Sequence, residues 1–232
     1  MKWARIMMLL GVATLVVWSC SSDNPAGPTT LPEAGSNSLL VQGEINGTED
    51  IGSGQFATSF LVTVQDSLGQ PVNDATVNVV HDQLGAIALP WNTLVPGEYS
   101  ASASDYTEGL YMLSVRRGTD SLINGYVTAP DIHVILFPTT ADTLQQDQPF
   151  TVTWSRQAPA ASVEIETRDF GPALSTGSGA DTGSYVIPAS FNIRDDQRVR
   201  VWRSNTTVLN TGLAGSTLQA EIRNAVEPIV VE

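Results

Sequence analysis

The chain has 232 residues, with 24 acidic against 11 basic side chains and a formal charge of −13. That balance argues against nucleic acid and anionic lipid head groups as partners, since both need clustered basic residues to displace counterions. Hydrophobic residues make up 42% and charged residues 15%, which is enough apolar content for packed cores and unlike a disordered chain.

Lys2 and Arg5 precede an apolar run from Ile6 to Val17, the charged and apolar regions of an export signal. A spanning helix needs roughly 20 apolar residues, so this run is expected to be cleaved rather than kept as an anchor. Cys20 is the only cysteine, which excludes an internal disulfide. Val17-Trp18-Ser19-Cys20 resembles the processing site of bacterial lipoproteins: an apolar residue, two further residues of which the last is small, and a cysteine. Trp18 fills a slot that in this family usually holds a smaller side chain. The resemblance implies loss of residues 1–19, a thioether diacylglycerol on Cys20 and an acylated amino group, palmitate being the usual label for such chains. Ser21 in place of aspartate implies the outer membrane, with the periplasmic or outer face left open. At about 0.8 kcal/mol per buried methylene, more than one acyl chain makes a permanent anchor. Removing Lys2 and Arg5 takes the formal charge from −13 to −15 and leaves a chain without lysine.

Residues 20–37 hold the lipid-acceptor cysteine and a stretch rich in Pro, Gly, Ser and Thr, the composition of a flexible spacer. The remainder divides into blocks 38–129 and 130–232, each of common domain size. In the first, Phe60-Leu61-Val62-Thr63-Val64 and Ala75-Thr76-Val77-Asn78-Val79 alternate with the period of two that marks a half-buried strand. Further strands are expected at Glu98-Tyr99, Tyr111 to Val115 and Leu122 to Val127. Turn signals recur every 8 to 12 residues or so, as in a sandwich or barrel. In the second block, Ile132 to Phe137, Phe150 to Trp154, Val163 to Glu166, Tyr185 to Ile187, Val199 to Trp202, Thr217 to Ile222 and Ile229 to Val231 read the same way. The fold class expected is all-β, two tandem sandwiches behind a signal peptide and linker.

The run Val64-Gln65-Asp66-Ser67-Leu68-Gly69-Gln70-Pro71-Val72-Asn73-Asp74-Ala75-Thr76-Val77 resembles the immunoglobulin-like repeats of bacterial surface proteins and the carboxypeptidase-regulatory-like modules. Leu94-Val95-Pro96-Gly97-Glu98-Tyr99 is similar to the same modules' proline-glycine turn. Phe150-Thr151-Val152-Thr153-Trp154 with the Val163 strand resembles fibronectin type III domains, whose tryptophan sits between the sheets. These resemblances imply immunoglobulin-like sandwiches and no particular activity, because such modules serve as spacers, adhesins and accessory domains alike.

No constellation points to catalysis. His81 and His133 are the only histidines and each lies in or beside a strand, whereas a zinc site wants three or four converging ligands. No serine elbow or phosphate-binding lysine loop is present; Gly52-Ser53-Gly54 and Gly177 to Gly183 read as inter-strand loops. Glu164 and Glu166 share a solvent face. Asp181 and Asp195-Asp196 read first as solvated turn residues, with donation to a structural calcium as the alternative; the calcium-loop spacing is absent, and no cofactor or metal is expected. Trp154 reads as core. The candidate binding surface is Trp202 beside Arg200 and Arg198, with Arg203 next in sequence, and separately Trp91 near a turn. Arg200 and Trp202 share a face opposite Val199 and Val201. That pattern suits a ligand-stacking surface, or an Arg–Trp cation–π stack of structural value. The chain therefore reads as a lipid-anchored, non-enzymatic envelope protein. It would serve as a spacer or bind a protein partner, with polysaccharide binding or adhesion through aromatics as the alternative and nucleic acid excluded.

Overall fold

A computed structural model describes residues 36–49, 54–167, 174–192 and 198–231. Cys20, the signal and Asp195-Asp196 lie outside them. The strands in chain order are β1 (Leu39–Glu49), β2 (Phe56–Asp66), β3 (Thr76–His81), β4 (Gly85–Leu89), β5 (Glu98–Ala103), β6 (Gly109–Arg117), β7 (Asp120–Ala129), β8 (Ile135–Phe137) and β9 (Thr143–Gln145). Then follow β10 (Phe150–Trp154), β11 (Ser162–Thr167), β12 (Leu174–Gly179), β13 (Ser184–Ile187), β14 (Val199–Val208), β15 (Thr217–Val226) and β16 (Ile229–Val231). The class is all-β, as the alternation of the sequence requires. Among the described residues no helix is long and apolar enough to cross a membrane.

One sheet of seven strands, ordered β12-β11-β14-β15-β1-β2-β5, runs through both blocks. The four-stranded sheet β4-β3-β6-β7 packs on one end of it and the three-stranded sheet β13-β10-β8 on the other; β9 and β16 form a separate parallel pair. The first core joins Leu39, Val41 and Ile45 of β1 and Phe60, Val62 and Val64 of β2 to Val77, Val79, Tyr111, Leu113 and Val115 opposite. The second joins Val163, Ile165, Val199 and Val201 to Ile135, Val152, Trp154 and Ile187. In these strands the inward set is the one that period-two alternation selects; in β7 the parity changes, with Leu122 and Val127 both in the core.

The chain boundary expected after Ala129 does not coincide with the boundary between cores. β15 lies far beyond it, yet pairs in parallel with β1 from Gln42↔Thr217 to Thr48↔Arg223. Its Leu218, Ala220 and Ile222, with Leu209 from the preceding turn, belong to the first core, while Val226 at its other end belongs to the second. A hairpin of two ten-residue strands thus spans both sandwiches. Four strands, β1, β4, β9 and β12, are absent from the pattern reading. β1 is hidden in the sequence because two of its inward positions, Gly43 and Gly47, are glycines. Part of the stretch read as a Gly177 to Gly183 loop is β12, an edge strand held by its antiparallel pairing with β11.

The long turn motif has a physical account. Asp66 Oδ1 accepts the Leu68 and Gln70 N–H groups, each at 2.9 Å, and Val72 is buried. The Tyr99 hydroxyl donates to Val72 O at 3.0 Å and accepts from Ala75 N–H at 2.8 Å, tying the turn to β5. Gly97 has a φ of 76°, and a Cβ there would sit 2.8 Å from Val64 O. Gly47 is a close-approach glycine of another kind: a Cβ would come within 2.2 Å of the Tyr106 ring. That ring is buried and anchored by its hydroxyl, which donates to Pro130 O at 2.7 Å. Gly47→Ala is therefore expected to destabilise the fold by about 1–3 kcal/mol through overpacking, measured by urea unfolding; a change within experimental error would mean that Tyr106 moves freely.

Candidate functional site

The expected surface on β14 divides by parity. Val199, Val201 and Arg203 point inward, and Arg200 and Trp202 outward. On the outer face Arg200 stands opposite Glu166 of β11, its Nη1 at 3.3 Å from Oε2, and Arg198 pairs with Glu227. Trp202 stands opposite Arg223 of β15, whose guanidinium lies 5.1 Å from the ring centroid. The cation–π stack is thus present, with a partner the sequence reading did not name. Trp202 is half-buried, and its Nε1 has no hydrogen-bond partner. A small pocket of about 60 Å³ lies between Thr48, Glu49, Arg198, Arg200, Arg223 and Ala225. Nearby, burial raises the pKa of Glu221 against the pull of Arg223, with Glu44 and Glu164 adding to the rise. The basic patch is therefore an alternating field of paired charges. Trp91 does not join it: β5, against which Trp91 bridges at Tyr99, is four strand spacings from β14, about 19 Å.

Arg203 is the residue whose role the sequence conceals. It is fully buried, where it meets two buried aspartates. Its Nε donates to Asp181 Oδ2 at 2.8 Å, its Nη1 to Asp131 O at 2.8 Å, and its Nη2 to Asp131 Oδ1 at 3.1 Å and to Ala158 O. Asp181 also accepts from Trp154 Nε1 at 3.0 Å and from Ala160 N–H at 2.8 Å; Asp131 accepts from Gln157 N–H at 2.7 Å. Burial would raise both carboxyls, but hydrogen bonds, from Gln157 N–H and Arg203 to Asp131 and from Ala160 N–H and Arg203 to Asp181, hold them below the ordinary carboxylate range. Asp181, read as a solvated turn residue with calcium as the alternative, is a buried counter-ion with both oxygens engaged.

Both histidines are buried and face backbone. His81 Nε2 lies 3.1 Å from Glu108 O, and its Nδ1 accepts from Gln83 N–H at 3.2 Å. His133 Nε2 lies 3.1 Å from Val201 O, and its Nδ1 has no partner. Burial first, and the Arg203 charge second, push the His133 imidazole down to about 4. Among the described residues no group of three or more His, Cys, Asp or Glu side chains is placed to hold a metal.

A groove of about 370 Å³ lies over the Arg203 cluster, lined by Glu108, Thr128 to Asp131, Gln157 to Ala160 and Asn205. Its central polar groups are already engaged. Asn205 donates to Thr128 O at 2.7 Å and accepts from Ala161 N–H at 2.7 Å, and Asp131 is held by Arg203. The groove is the seam between the two blocks, stitched by hydrogen bonds.

No family model matches the chain, and no curated protein matches it. Among solved structures it is similar to the adhesin InvE of Yersinia pseudotuberculosis, at 16% identity over 82% of this chain and 61% of that one, with a TM-score of 0.27. It is also similar to the fibronectin(III)-like modules of Clostridium thermocellum CbhA, at 11% identity over 82% of this chain and 94% of that one, with a TM-score of 0.25. A Salmonella alpha-2-macroglobulin mutant aligns at 12% identity over 84% of this chain and 15% of that one, with a TM-score of 0.28. Overlaps this loose do not superpose one site on another. This chain spans about 61% of the adhesin's length.

Proposed function

We propose that this is a lipid-anchored, non-enzymatic protein of the bacterial cell envelope, a stiff two-sandwich body that serves as a spacer or protein-binding module. The observation that supports it most is the shared sheet: β14 and β15 run through both cores, and the buried Arg203 cluster lies where the blocks meet. Such a seam resists hinge motion, which suits holding a surface at a set distance from its anchor. A partner-binding surface is available on the outer face of β4-β3-β6-β7, where Ala86, Val80, Met112 and Tyr126 fall on one rung. The polysaccharide reading has less support, since Arg223 covers Trp202 and Trp91 stands apart; binding to soluble glycans that is lost in Trp202→Ala would favour it.

The anchor is tested by radiolabelled palmitate. Incorporation is expected in the unaltered chain and lost in Cys20→Ala, with the variant released to the soluble fraction; equal labelling of the two would overturn the tether. Protease digestion of intact cells then distinguishes an outward-facing domain, which is cleaved, from a periplasmic one, which is protected.

A further inference from the structure

Three turns gather at the end of the first sandwich where the chain enters the fold. Ser36 is pinned there, its N–H donating to Ser121 O at 2.8 Å, and Leu39 opens β1 opposite Asp66 at the end of β2. The Asp66–Pro71 turn therefore stands beside the entry point. The Asn92–Gly97 turn leans on it, with Val64 N–H donating to Gly97 O at 2.8 Å and Gly97 N–H to Asn73 Oδ1 at 2.7 Å. The β14–β15 hairpin returns to the same end, where Leu213 N–H donates to Leu39 O at 2.8 Å.

These turns carry the most exposed large apolar side chains of the described residues: Leu94 at 88%, Leu68 at 81% and, at the end of β14, Val208 at 64%. Trp91 and Val95 are exposed beside Leu94. The turns are rigidly built. Besides the Asp66 bonds, Asn92 Oδ1 accepts Leu94 N–H at 3.0 Å and Asn92 Nδ2 donates to Glu98 Oε1 at 2.6 Å. Two leucines are thus held out in water by hydrogen-bonded turns, at the end of the body where the described chain begins, at Ser36.

We propose that this end is a lipid-contact surface, Leu68 and Leu94 entering the head-group region of the bilayer that carries Cys20, with Trp91 at its rim. The inference rests on the lipid-anchor reading. Leucine and tryptophan are the side chains that partition into that boundary. The 16 residues from Ser21 to Ser36 would, as a coil, span about 20–24 Å, which keeps the tip at an effective concentration on the order of millimolar. A contact too weak to hold a free protein is populated under that tether. Asp66, Asp74 and Glu98 at the same end, with Asp74 paired to Arg117 at 2.8 Å, set the preference for zwitterionic over anionic lipid. The second sandwich then stands away from the membrane, presented by the far half of β14.

The test places a fluorophore on Leu94→Cys in the acylated full chain, whose other thiol is blocked by lipid, in phosphatidylcholine vesicles containing a nitroxide-labelled lipid. Quenching is expected to be several-fold stronger than for the same fluorophore on Val186→Cys, an exposed site on β13 of the second sandwich. It should fall by at least half in Leu68→Asp and when phosphatidylglycerol is added. Equal quenching at the two positions overturns the proposal, as does a signal that follows protein density rather than nitroxide, which marks a second copy. Holding a Cys20→Ala chain on nickel-chelating lipid through an N-terminal hexahistidine tag separates the two readings. Quenching kept there while palmitate labelling of the natural chain fails removes the anchor and leaves the lipid contact standing; labelling without quenching in either format removes the contact alone.

Discussion

Arg203→Ala is expected to lower the unfolding free energy by about 3–5 kcal/mol, because it leaves two carboxylates buried without the cation between them. Asp131 and Asp181 are both buried, and the guanidinium also satisfies Asp131 O and Ala158 O, so one truncation orphans several groups at once. Arg203→Met alone should cost as much, since volume is restored but charge is not. Combining it with Asp131→Asn and Asp181→Asn should recover much of the loss, as apolar or neutral replacements of whole buried ion clusters often do. Urea unfolding of residues 36–232 measures each variant. A loss below about 1 kcal/mol, the scale of an exposed ion pair, would show that the cluster contributes little to the fold.

The same cluster sets how the fold responds to acid. His133 titrates at the ordinary 6.5 when unfolded and at about 4 when folded, so between these values the unfolded chain binds a proton that the folded chain refuses. Stability therefore falls as pH drops from 6.5 to about 4, by about 3 kcal/mol for that gap. Asp131 and Asp181 act lower. Their folded pKa values lie below the unfolded 3.8, so their contribution is complete above that value and is lost as pH falls through the folded ones. His133→Gln should flatten the upper limb and leave the lower one in place.

A chain cut after Ala129 is the second large effect: residues 36–129 are expected to show no cooperative unfolding transition, whereas residues 36–232 unfold cooperatively. The cut removes β15 and with it Leu209, Leu218, Ala220 and Ile222, all buried in the first core. At about 1.5–3 kcal/mol for each large side chain, the loss is comparable with the whole stability of a typical domain, about 5–15 kcal/mol. It also leaves β1 without its parallel neighbour, exposing an apolar edge prone to aggregation. Heat and urea denaturation followed by near-ultraviolet circular dichroism would decide it. A sharp transition in the fragment would mean that the first sheet closes without β15.

Local chemistry in the sequence is enough for the strands with β-branched or aromatic residues at every second position, and for the Asp66 turn, whose side chain caps its own backbone. It is enough also for the shared outward face of Arg200 and Trp202, which follows from strand parity. It falls short at the short strands β4 and β9, at β12, and at β1, where Gly43 and Gly47 take inward positions that would otherwise make alternation visible. The rings of the two histidines meet backbone carbonyls, and Asp181 meets a buried guanidinium, which no local pattern signals, because a single loop acid looks the same in sequence whether it faces water or such a cation.

The residues in order thus determine the all-β class, the inward face of most strands and the apolar tips of the turns, because each depends on neighbours a few positions away. Tertiary structure alone decides that Arg203 is a buried hub, since its partners Asp131 and Asp181 lie 72 and 22 residues from it. It alone decides that β15 completes the first sheet beside β1, and that Leu68, Leu94 and Val208 share the end where the chain enters. Pairing across such separations depends on which edges the folded sheets leave open, and no local pattern records that.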